Sequence, residues 1–139
     1  MVESNIDNGS FIKDAVERIH YHIDTVESKD IKRDENGYKS NKNVLIKVSI
    51  AETTFITDYW CAKVYFGLFD EKCELISERS LNFIVFQNIK THDVSITITS
   101  DNDLNLIFKS ITKYPKALID KYLPSILNST ALILLNSIK

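Results

Sequence analysis

The 139-residue chain contains only three glycines, two prolines, two cysteines and one tryptophan. So little glycine and proline excludes a collagen-like or linker-like chain. A hydrophobic share of 44% excludes disorder over most of its length. Cys61 and Cys73 are too few for a disulfide framework, and two unpaired thiols in a reducing cytoplasm are expected. The net charge is −2, without the basic excess that phosphate contacts require, so no nucleic-acid partner is expected. The first residues, Met1 to Asn5, are polar and no apolar segment of a signal peptide follows. From Tyr122 to Ile138 there is no charge, but Pro124, Asn128, Ser129, Thr130, Asn136 and Ser137 punctuate the run. It is also shorter than the roughly 20 apolar residues of a membrane span. A cytoplasmic protein without membrane attachment is the expectation.

Chemical signatures are missing too. There is no glycine-rich phosphate loop, no Cys-x-x-Cys pair and no Gly-x-Ser-x-Gly elbow. The carboxylates are scattered along turns and polar faces, and none forms a recognisable acid/base pair. The expectation is a protein that is not an enzyme and uses no cofactor. His20, His22 and Asp24 are the one set that invites a metal reading. On a strand, alternate side chains lie about 7 Å apart on one face, close enough for two neighbours to share an ion. The simpler reading is a solvated strand face, because the remaining histidine, His92, sits in a distant turn.

What the chain does have is a long aromatic hairpin, from Tyr59 to Phe86, turning at Asp70-Glu71-Lys72. With Leu68 opposite Cys73, Trp60 faces Leu81, Phe66 faces Leu75, Lys63 faces Glu78 and Tyr65 faces Ile76. A slip of one residue sets Lys63 against Arg79 and breaks the apolar face, so the first register is preferred. Its inner face is Trp60, Ala62, Val64, Phe66, Leu68, Cys73, Leu75 and Leu81, interrupted by Ser77 and Arg79. In this register the two cysteines point to opposite faces and cannot bond.

Around the hairpin, Ser10 is placed to cap a short helix through Arg18, carrying Phe11, Ala15, Val16 and Ile19 on one side. Ile19 to Glu27 alternates as a strand. Ser28 to Asn43 is a polar loop with a turn at Asn36-Gly37, and Val44 to Ala51 is a second strand. Val94 to Thr99 alternates again, as a fifth strand or as the fourth continued past a bend. Leu104, Ile107, Phe108 and Ile111 then fall at helical spacing behind the candidate caps Asp101 and Asp103. Tyr114-Pro115 ends that helix and starts another, bearing Ala117, Leu118, Tyr122, Ile126 and Leu127, with a kink expected at Pro124. Ala131 to Leu135 is apolar on every side and reads as helix, either fully buried or shared with a second subunit.

Strands first and helices last give an α+β class: a four- to five-stranded antiparallel sheet with C-terminal helices packed on one face. The chain is read as one domain, 1–139, with an N-terminal segment or short helix at 1–18, the antiparallel sheet over 19–99 and a helical region over 101–139.

The layout from Glu17 to Leu127 resembles the SecB family of export chaperones and its divergent SecB-like members. Glu17 to Ile23 is similar to the family's first strand, Asn43 to Ile50 to its second, and Tyr59 to Phe86 to its central hairpin. Tyr114-Pro115-Lys116-Ala117-Leu118-Ile119 resembles the Cys-Pro-x-x-Leu-Phe entry into its main helix. The family's Phe-Pro-Tyr-Ala-Arg run is here Ile119-Asp120-Lys121-Tyr122-Leu123, and its Gly-Phe-Pro segment is missing. The resemblance implies an ATP-independent chaperone, a homo-oligomer (dimer or tetramer), that binds unfolded or partly folded polypeptide in apolar grooves. In some members the client is one dedicated antitoxin. Trp60, Phe66, Phe83 and Phe86 are the residues expected in client contact or assembly. The alternative reading is a small α+β interaction or inhibitor protein that binds one folded partner.

Overall fold

The structure, a computed structural model, describes residues 11–25, 44–100 and 105–137. Helix α1 covers residues 11–25. Five strands follow: β1 (Leu45–Ile56), β2 (Tyr59–Phe69), β3 (Leu75–Gln87), β4 (Val94–Ser100) and β5 (Leu106–Thr112). Helix α2 (Pro115–Asn136) closes the described chain. All neighbouring strands are antiparallel and lie side by side in chain order, an up-and-down meander. The α+β class read from the sequence is present, and the short helix expected through Arg18 is present as α1 but runs on to residue 25.

Alternation in the strands decides which sheet face is covered. Trp60, Ala62, Val64, Phe66 and Leu68 of β2 are buried, as are Leu81, Phe83 and Val85 of β3 and Val94, Ile96 and Ile98 of β4. Both helices lie on this inner face. Ile12, Ala15, Val16, Ile19 and Ile23 form the apolar stripe of α1, and Ile119, Leu123, Leu127, Ala131 and Leu134 that of α2. Ile19, Phe83, Ile96, Ile119 and Leu123 surround one small internal gap, so α1, α2 and the sheet share a single core.

Several expectations are corrected. Residues 19–25 are helical, not a strand. Ile19, Tyr21 and Ile23 alternate, but Ile12, Ala15, Val16, Ile19 and Ile23 also keep helical spacing over a longer run, and the longer pattern wins. The segment matched to the SecB family's first strand, Glu17 to Ile23, therefore lies in α1. Leu106–Thr112 is a strand rather than a helix. Its spacing fits both periods, and pairing satisfies the backbone edge that β4 would otherwise leave open. The sheet thus starts at Leu45, and the helical region is confined to α2.

The hairpin register differs by an even number of residues. Leu81 faces Val64 rather than Trp60, a shift of four. The cause is a longer turn. The Asp70 carboxylate accepts the N–H groups of Lys72 and Glu74, both at 2.9 Å, and the Asp70 and Glu74 backbones also bond. Cys73 enters the left-handed region at φ 65° to complete the loop. The shift of four keeps every β2 side chain on its expected face and sets Phe83 and Val85 opposite Ala62 and Trp60 in the core, while a bulge between Leu68 and Phe69 pairs Leu75 with Phe69 and leaves it exposed. Lys63 now faces Asn82, and Phe66 faces Arg79.

Both cysteines are free, Cys61 half-buried and Cys73 exposed. Helix α2 runs unbroken through Pro124, and by length and composition alone it could cross a membrane. Here it buries one side on the sheet, and of the Ala131–Leu135 run only Ile133 is exposed. That run needs no second subunit to cover it. Expectations placed on residues 1–10, 26–43, 101–104 and 138–139 lie outside the described residues.

Candidate binding surface

Among the described residues, no helix or other element packs on the sheet's second face. The strand register sets its side chains out in rows across the sheet. One row is Ile56, Tyr59, Phe86, Ser95 and Ile111; the next is Thr54, Cys61, Ile84, Thr97 and Lys109. Phe86 is 39% exposed, Ile84 38%, Ile56 58% and Ile111 65%. The Tyr59 and Phe86 rings meet edge to face with centroids 6.4 Å apart, a geometry aromatic pairs favour. A hydrogen bond with the Cys61 side chain, aided by its charge, holds the Tyr59 hydroxyl above the usual tyrosine range. Four consecutive apolar residues of β3, Phe83 to Phe86, make this surface: Phe83 and Val85 feed the core, and Ile84 and Phe86 face outward.

At the other end of the same face lies a shallow groove of about 250 Å³, lined by Lys47, Ser49, Tyr65, Gly67, Phe69, Leu75 and Glu78. Phe69 folds back over Gly67, and Lys47 Nζ sits 5.3 Å from its ring centroid. A Cβ on Gly67 would stand 2.8 Å from Phe69 Cε1, so the missing side chain is what lets the ring lie flat on the strand.

The expected client residues separate across the sheet. Trp60, Phe66 and Phe83 are at most 1% exposed beneath the helices. That is a correction: they are core, with no surface to offer a client. Phe86 alone of the four is on the open face. The residues that join it there, Tyr59, Ile84 and Ile111, were not singled out. The signal for Ile84 was its place between Phe83 and Val85, which makes β3 apolar on both sides.

The His20, His22 and Asp24 set is also dispersed, because residues two apart on a helix point about 200° apart. His20 Nε2 lies 3.0 Å from Glu52 Oε2, which also accepts the Trp60 Nε1–H at 2.8 Å. The hydrogen bonds from Trp60 and then His20 hold the Glu52 carboxyl below its ordinary value. His22 Nε2 lies 2.7 Å from Asp120 Oδ1, and Arg18 reaches the same oxygen at 2.7 Å. Desolvation pushes the Asp120 carboxyl up, but the bonds from His22 and Arg18 outweigh it and the group is lowered. These histidines join α1 to β1 and α2 through carboxylates. Among the described residues, no three potential ligands gather where they could hold a metal.

Compared with family models, curated proteins and solved structures, the chain matches none of them.

Proposed function

We propose that this protein is a nucleotide-independent binding chaperone that takes up apolar segments of unfolded or partly folded polypeptide. The observation that carries the reading is the unequal treatment of the two sheet faces. Two helices cover one face, while the other leaves Ile56, Tyr59, Ile84, Phe86 and Ile111 partly or largely exposed in adjacent positions. Contiguous exposed apolar surface on a small domain marks a contact site. Hydrophobic burial of client side chains supplies the affinity, and no catalytic group or nucleotide takes part.

The test is aggregation suppression. The purified protein, without nucleotide, is mixed with a chemically unfolded unrelated protein on dilution, and light scattering is followed. Suppression near equal molar ratio is expected, and Phe86→Ser combined with Ile84→Ser abolishes it. Full scattering at every ratio overturns a general holdase and leaves the reading of one dedicated folded partner.

A further inference from the structure

We propose that the edge of β5, unpaired among the described residues, accepts an extended segment of the partner as a sixth strand, and that it selects a segment alternating apolar, acidic, apolar on one face. This rests on the polypeptide-binding reading and states how the partner is held.

The sheet has two edges, β1 and β5, and they are unlike. Edge strands expose unpaired backbone groups, and proteins blunt them with charge, bulges and polar residues. β1 carries more polar groups: Lys47, Ser49, Glu52, Thr53 and Thr54 are exposed along it, with Phe55 and Ile56 exposed only at its end, and its pairing with β2 is broken between Glu52 and Thr54. β5 is short and mostly apolar, with Leu106 59%, Ile107 41% and Ile111 65% exposed and Lys109 its one charge; its pairing with β4 also shifts once, at Ile107, and is regular from Phe108 to Thr112. Its inner side is anchored, since Phe108 stacks on Tyr122 of α2 at 5.5 Å.

Lys109 and Ile111 lie on the open face of the sheet opposite Thr97 and Ser95, Ile107 is exposed two residues before Lys109, and Ile111 ends the row that holds Tyr59 and Phe86. A strand added here gains backbone bonds from β5 and extends that apolar row by one more side chain. Directly opposed side chains decide the preference: apolar residues suit Ile107 and Ile111, and a carboxylate suits Lys109. The same rule disfavours a second copy of this chain. Antiparallel self-pairing that sets Ile107 against Ile111 also sets Lys109 against Lys109, and like charges directly opposed repel.

The test uses two fluorescent heptapeptides, Thr-Val-Thr-Glu-Thr-Val-Thr and the same sequence with Lys at its centre, followed by anisotropy with the full chain at low salt. The Glu peptide is expected to bind about tenfold more tightly than the Lys peptide. Lys109→Glu should reverse the order, and N-methylation of alternate peptide amides on one edge should abolish binding of both. Equal binding of the two peptides, or an order unchanged by Lys109→Glu, overturns the proposal. So does no binding of either. In each of these outcomes the scattering assay decides separately whether polypeptide binding itself survives.

Discussion

Trp60 and Phe86 sit on adjacent strands, on opposite sides of the sheet, and their substitutions should separate stability from binding. Trp60 is fully buried, and Trp60→Ala leaves a large cavity beneath both helices. A loss of about 3–5 kcal/mol in unfolding free energy is expected from urea titration. Phe86→Ser removes a half-covered ring from the open face. It should shift stability by about 1 kcal/mol or less while weakening client capture in the scattering assay. Equal damage to stability from both would place Phe86 in the core as well. The two lowered carboxyls give a pH prediction. A carboxyl whose value is depressed by folding stabilises the folded state above its unfolded value, and that contribution is lost as pH falls through the lower, folded value. For Glu52 and Asp120 the reference values are 4.5 and 3.8. Stability should therefore fall as pH drops below about 4. Their side chains are 39% and 42% exposed, so each contributes under about 1 kcal/mol. Urea midpoints at pH 6 and pH 3 should differ less in Glu52→Gln and Asp120→Asn than in the unaltered protein.

At the scale of elements, what could be read from the sequence depended on how much independent signal each segment carried. The hairpin strands were legible because five alternating apolar residues of β2 leave one choice of face. The turn was not, because the Asp70 side chain lengthens it through two bonds that no periodicity announces. The end of α1, from Ile19, and β5 were misread for one shared reason. Short stretches such as Ile19-Tyr21-Ile23 and Ile107-Phe108-Ile111 fit two periods, and only the neighbours they pack on decide between them. The open face was half legible: a surplus of apolar surface followed from aromatics on both sides of the hairpin, but three of the four residues expected in client contact or assembly had been drawn from the inner side. Pro124 is the element-scale exception that can be tested. It lies in the middle of α2, where it removes one backbone hydrogen bond, yet the helix continues for twelve residues to Asn136. Its packing partners must offset that cost. Pro124→Ala restores the donor, and a gain of about 1–3 kcal/mol in unfolding free energy is expected. A loss instead would show that the proline shapes α2 to the sheet.

For the molecule as a whole, a single core tied to both helices and the proposed binding face on its far side make two demands that one probe can follow. Trp60 is the chain's only tryptophan, buried at the junction of sheet and α1, bonded to Glu52 and 6.2 Å from the His20 ring. Its emission therefore reports whether α1 is docked. A helix of this length is marginal on its own in water, so α1 should melt only when the core does. Urea unfolding followed by Trp60 emission and by far-ultraviolet circular dichroism should give one midpoint. Helical signal lost ahead of Trp60 would mean that the helices leave before the sheet. The same probe then tests where clients bind. A segment captured on the open face or added to β5 lies across the sheet from Trp60, and the core has no reason to open. Saturating the protein with the Glu-centred peptide should leave the Trp60 emission maximum unchanged. A red shift on binding would instead mean that α1 lifts and that the buried aromatics Trp60, Phe66 and Phe83 meet the client, a mode of action in which the covered face is the active one.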